Sequence, residues 1–176
     1  IAYTGFGQNT FIGRHGNGVN TDNFNGTIDD VCIYNRALND QEVQDVYSNA
    51  YQMSYWKFDE GKGGNVKDSA GGNDGVVNEA TWLTGMKGRA LRFDGIDDCV
   101  EIPGLLGKSR NITISIWANL RVGDTSGAEA VSLGDYVGIR LDGNGNKGVM
   151  GFYYDGTTWH ATTTGMLYAG TGWHHV

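Results

Sequence analysis

Apolar and polar residues alternate with a period of two through most of the chain. "RALRFDG", "DCVEIP", "NITISIWANL", "AVSLGDYVGIRLDG", "GVMGFYYDG", "TWHATTTG" and "GWHHV" follow one another at about ten-residue spacing, with turn residues between them. That rhythm predicts short strands whose alternate side chains face a core, in a sandwich or jelly roll. Earlier in the chain, "NTFIGRHG" and "IDDVCIYN" read as strands, and "SYWKFDEG" places Trp56 and Phe58 on one face and Tyr55, Lys57 and Asp59 on the other. Trp56 and Trp117 sit among apolar neighbours and are expected in the core. His174 and His175 are adjacent, so on a strand they face opposite ways.

One stretch breaks the period. Asn39 can cap a helix, with Glu42 at the third helical position reaching back and Leu38 facing Val43 as a hydrophobic staple. Val43, Val46 and Tyr47 give this short helix one apolar side for lying on a sheet. Residues 48–54, "SNAYQMS", lack periodicity and read as a linker. "GKGGNVKDSAGGNDG" is the richest loop, with glycines for unusual dihedrals and Asp68, Asn73 and Asp74 as oxygen donors.

Composition agrees with many strands and tight turns: among 176 residues there are 29 glycines and a single proline, Pro103. The net charge of −7, with no run of Lys or Arg, argues against a nucleic-acid partner, because a phosphate backbone would be repelled. No stretch reaches the roughly 18 apolar residues of a membrane helix, so membrane insertion is not expected. The chain begins at Ile1, as a processed product or excised piece would.

Two cysteines, Cys32 and Cys99, cannot form a CxxC metal knuckle. They leave one disulfide, two buried thiols or links between chains, and the Gly/Asn/Thr-rich composition favours a disulfide in an extracellular setting.

For chemistry, the aromatic and polar cluster in "FYYDGTTWHA" stands out. Tyr153, Tyr154, Asp155, Trp159 and His160 together offer aromatic faces for a sugar's C–H surface and polar groups for its hydroxyls. The competing account is a hairpin whose aromatics alternate between core and edge. A glycosidase would need paired carboxylates on one strand, and Glu79, Glu101 and Glu129 are isolated, so catalysis of that kind is not expected. No GxSxG elbow is present.

The series "YWKFDEG…DSAGGNDG…GRALRFDGIDDCVEIP…ITISIWANL…GWHHV" resembles the opening of a laminin-G-like jelly roll, within the concanavalin A-like lectin/glucanase superfamily. "FIGRHG…FNGTIDDVCIYNRALNDQEVQDVY" resembles the close of such a domain. The resemblance implies an all-β, two-sheet antiparallel jelly-roll sandwich with one short peripheral helix. It also implies a non-catalytic recognition or adhesion module, extracellular or at the cell surface, with a glycan or extracellular protein as partner.

The order is inverted, since the closing motifs come first. Residues 1–51 resemble the end of a module, 52–54 a linker, and 55–176 the beginning and centre of a module, without the hairpin that the family places after "GWHHV". Three accounts fit: a window on a tandem-repeat protein, a permuted single sandwich, or copies that exchange strands. Other functions compatible with this are a structural subunit of a self-assembling fibre or layer, and an accessory carbohydrate-binding region of a glycan-degrading enzyme.

The resemblance further implies a structural calcium ion where first and last strands meet. The matching positions are Asp59 or Glu60, Asp68, Asn73, and Asp29 or Asp30. Hydrogen-bonded turn carboxylates are the alternative reading of the same residues. If the strands carrying Cys32 and Cys99 lie side by side, the two could bond once their Cα atoms come within about 7 Å.

Overall fold

The computed structural model describes residues 9–16, 23–40, 42, 52–105, 111–121, 129–134, 136–141, 148–163, 166 and 168–176. The strands are β1 (Asn9–Ile12), β2 (Asn25–Tyr34), β3 (Gln52–Trp56), β4 (Asn65–Val66), β5 (Gly75–Asn78), β6 (Thr81–Thr84) and β7 (Arg89–Asp94). They continue with β8 (Cys99–Pro103), β9 (Thr113–Leu120), β10 (Glu129–Leu133), β11 (Val137–Arg140), β12 (Met150–Tyr154), β13 (Trp159–Thr163) and β14 (His174–His175).

Two antiparallel sheets form. One runs β13-β12-β11-β10-β1-β8-β5-β4 and the other β14-β9-β2-β7-β6, with β3 also paired to β2. This is the predicted sandwich. The two segments with inverted motifs share both sheets: β1 lies between β8 and β10, and β2 pairs with β3, β7 and β9.

Alternation sorts side chains as the sequence pattern requires. On β9, Ile116, Ala118 and Leu120 enter the core, where Ile12, Phe24, Ile28, Val31 and Ile33 from the early segment meet Trp56, Phe58, Leu91, Phe93, Val100 and Ile102. One apolar core thus draws on both ends of the inverted order.

Trp117 departs from expectation. Its neighbours Ile116 and Ala118 point inward, so Trp117 faces outward and is half-buried, its ring centroid 5.1 Å from that of His175. His174 and His175 do occupy opposite faces, pairing with Ala118 and Trp117 respectively, and His174 stacks on Tyr168 at 4.1 Å.

β3 ends at Trp56 rather than continuing through Asp59. Phe58 takes a positive φ of 55° and turns the chain while its ring stays fully buried. β2 carries a bulge between Asp29 and Cys32, where Asp30 has φ 49°, a conformation Asp tolerates better than most residues.

At the predicted helix start, the Asn39 amide donates to Glu42 Oε2 and the Glu42 amide donates to Asn39 Oδ1, both at 2.9 Å. The capping box is therefore formed. Val43, Val46 and Tyr47, and with them the body of the expected helix, lie outside the described residues.

Candidate carbohydrate site

β12 and β13 form a hairpin in which Tyr153 pairs with His160 and Tyr154 with Trp159. Asp155 shapes its turn: Oδ1 accepts from the amides of Thr157 and Thr158, both at 2.8 Å, and from the Thr157 hydroxyl at 2.7 Å. Its Oδ2 lies 2.7 Å from His160 Nε2. The His160 hydrogen bond and these donors hold the Asp155 carboxyl well below the usual range.

The five expected residues share one hairpin but not one surface, because neighbouring strand residues point to opposite faces. Tyr153 and His160 stack at 4.7 Å with rings 14° apart, on the face that continues toward Val137 and Ile139. They line a cleft of about 720 Å³ with Ile112, Ile114, Val137 and Ile139.

On the other face Trp159 lies 5.1 Å from Tyr154 and 5.8 Å from Phe152. Trp159 is 52% exposed and overlooks a hollow of about 390 Å³ lined by His15, Arg140, Met150, Phe152, Ala161 and also His160, which borders both recesses. The Arg140 guanidinium lies over the Phe152 ring at 4.7 Å and donates through Nη2 to Glu129 Oε1 at 2.7 Å.

Glu129 is fully buried, and burial pushes its carboxyl up despite the opposing pull of His15 and Arg140. His15 Nε2 is 3.3 Å from the same Oε1. A buried carboxylate therefore anchors two basic side chains at the lip of the hollow beside an exposed indole. Sequence reasoning treated Glu129 as isolated and passed over His15 and Arg140. Glu129 and Arg140 are register partners across the β10–β11 hairpin, whereas His15 comes from the early segment that follows β1.

The residues matched to a calcium site behave as turn formers. Asp68 Oδ1 accepts from the amides of Tyr55 at 2.8 Å and Ala70 at 3.0 Å, and Oδ2 accepts from the Asn73 amide and Asn73 Nδ2, both at 3.2 Å. Burial alone would raise the Asp68 carboxyl, but these donors outweigh it and hold it low. Asp59 accepts from the Arg89 amide, Glu60 from the Lys67 amide and Asp29 from the Lys87 amide. Asp30 accepts from the Tyr55 hydroxyl at 2.6 Å.

Donors thus occupy both oxygens of Asp68, whereas Asp29 Oδ1 and Glu60 Oε2 are buried with no hydrogen-bond partner, so among the implied ligands these two oxygens are the ones left for a cation. Among the described residues the acidic trio that comes together is a different one, Asp94, Asp97 and Asp98. Within it, Asp98 Oδ2 accepts from the Asp94 amide and Asp94 Oδ1 from the Ile96 amide, so this group too braces its own turn.

The expected Cys32–Cys99 bond is absent, and both residues are buried thiols. Cys32 lies on β2 opposite Ser115 and Tyr55, whereas Cys99 lies on β8 of the other sheet, where Asn78 reaches its sulfur at 3.5 Å. Their inward neighbours Val31, Ile33 and Val100 fill the core, so the two thiols point away from each other on opposite sides of the sandwich. With both side chains turned outward and the whole core between them, the sulfurs cannot reach each other. Burial, with the nearby Asp30 charge, pushes the Cys32 thiol up to about 12.

Residues 2–44 match a laminin-G family model described as the concanavalin A-like lectin/glucanases superfamily. No curated protein and no solved structure matches the chain. The matched segment contains β1 and β2, which sit at interior positions of the two sheets. The match covers that segment alone, and the two antiparallel sheets built around it are consistent with a laminin-G-like jelly roll of the concanavalin A-like superfamily.

Proposed function

We propose that this domain is a non-catalytic, extracellular recognition module that binds carbohydrate in the hollow beside Trp159. The observation that carries the reading is the Trp159 indole, 52% exposed and the most exposed Phe, Tyr or Trp ring among the described residues. Beside it stands a guanidinium fixed in place by a buried carboxylate. A sugar would lay its C–H face on Trp159 and give hydroxyls to Arg140 and His15. Covering about 100 Å² of indole would contribute about 2.5 kcal/mol, which suits a weak, repeated interaction.

The match of residues 2–44 to a lectin-containing superfamily supports the same class of function but does not name the sugar. A glycan array with the intact chain tests it, with Trp159→Ala as control. Binding lost in Trp159→Ala and kept in Tyr153→Ala supports the outer hollow. Binding lost only in Tyr153→Ala moves the site to the inner cleft, and no binding to any glycan overturns the proposal.

A further inference from the structure

A second hollow, of about 390 Å³, lies on the outer side of the six-stranded sheet, far in topology from the hairpin. Thr27 on β2 is the register partner of both Arg92 on β7 and Asn119 on β9, so these three side chains stand in one row on one face. Arg121 follows immediately after β9, anchored by its amide to Asn25 O at 3.2 Å.

Gly170 and Gly172 close the remaining side with positive φ values of 71° and 95°. A Cβ on either would meet no atom within 4 Å, so the backbone there is open to a ligand.

Charge makes this row unusual. The chain has 20 acidic against 13 Lys and Arg residues, and Arg36 and Arg140 are each paired with a carboxylate. Among the described residues, Arg92 and Arg121 have no ion-pair partner, and the side chains of Thr27 and Asn119 have no hydrogen-bond partner. Two guanidiniums and two neutral polar groups therefore converge on one concave spot with their donors unused. Adjacent strands are about 4.8 Å apart, so Arg92 and Asn119 start about 10 Å from each other across β2. Arginine side chains can close that gap around a single charged group.

We propose that this hollow binds an oxyanion, a carboxylate or a sulfate or phosphate ester borne on a larger ligand, through Arg92 and Arg121. A guanidinium presents a planar fork that matches two oxygens at once, and Thr27 and Asn119 add neutral donors between the two forks.

The test is titration of the intact chain with sodium sulfate, inorganic phosphate and acetate at constant ionic strength, followed by NMR shifts of the Gly170 and Gly172 amides. The expected result is saturable binding of at least one of these anions. Arg92→Gln and Arg121→Gln should each weaken it about tenfold, as expected for loss of one charge-assisted contact. Both sites are exposed, so folding should be kept, and a melting curve checks this. Arg89→Gln, which removes an exposed arginine away from the hollow, should leave binding unchanged.

The sulfate, phosphate and acetate arms separate ester from carboxylate ligands. Equal shifts with chloride, or equal weakening by Arg89→Gln, would show general charge screening and overturn the proposal. Trp159→Ala should not affect these shifts, so failure here and failure of the carbohydrate site are independent results.

Discussion

Val31 in β2 is paired with Trp56 in β3, and both side chains are fully buried. Two residues earlier on the same strand, Asp29 is paired with Trp117 of β9. A strand from the part of the chain that resembles a domain's close thus lies beside the strand that resembles its opening.

Because Val31 is packed between the sheets, shortening it should be felt by the whole sandwich. Val31→Ala should lower unfolding free energy by about 2 kcal/mol, the lost methyl groups plus the cavity they leave. Equilibrium urea unfolding followed by tryptophan fluorescence checks this. A single transition that shifts as a unit is expected, since residues on both sides of residue 51 share one core. Two separate transitions, with only one shifted, would contradict it.

Much of this architecture was legible in the sequence, and the misses have physical reasons. The alternation in β7 and β9 fixed which residues enter the core. The same parity, applied strictly between Ile116 and Ala118, places Trp117 outside, whereas its apolar neighbours suggested burial. β4, β5 and β6 were passed over because a two-residue strand inside a Gly/Asp loop and a mostly exposed "TWLT" give little periodic signal. At the candidate site the hairpin aromatics were found from local sequence. The Glu129, Arg140 and His15 cluster was not: Glu129 and Arg140 meet only once the hairpin register is known, and His15 joins them because distant β1 pairs with β10.

Asp29 gives a pH signature. It is fully buried and its carboxyl is pushed up to about 6, by burial first and by the Asp30 charge, against the pull of the Lys87 amide. In the unfolded chain it ionises near 4, so between about pH 4 and 6 the folded state holds a proton that the unfolded state has lost. Stability from this group therefore falls as pH rises through that window, and the penalty is complete above it. Asp29→Asn keeps an oxygen for the Lys87 amide and removes the charge. It should gain about 1–2 kcal/mol over the natural chain at pH 7 and nothing at pH 4. Urea midpoints at a series of pH values measure this, and a gain that does not change with pH would count against it.

Asp68 tests whether its loop needs a cation. Four N–H donors face its two oxygens, so Asp68→Ala should strand several amides and cost about 2–3 kcal/mol. Melting temperature of the natural chain should be the same in calcium and in chelator, and the loss in Asp68→Ala should be equal in both. A melting temperature that rises with calcium only when Asp68 is present would restore the ion to this loop. Its lowered carboxyl also predicts acid sensitivity of the opposite sign to Asp29. That stabilisation is in place above about pH 4 and is lost as pH falls through the folded-state value.

The thiols supply the last prediction. Cys32 is 4% exposed and Cys99 not at all, and burial raises both above an ordinary thiol. The thiolate is the reacting species, so neither should react with a disulfide reagent while the chain is folded. In denaturant both should titrate, giving two equivalents, even in protein prepared without reductant, because opposite sides of the sandwich keep the sulfurs apart. Cys32→Ser and Cys99→Ala should therefore leave gel mobility the same with and without reductant. A faster-migrating species that appears only without reductant, and only when both cysteines are present, would mean that the strands had come together in one chain. That outcome would require Cys32 and Cys99 to face each other, either within one sheet or across the core, and with it the register of β2 or β8 described here would fall.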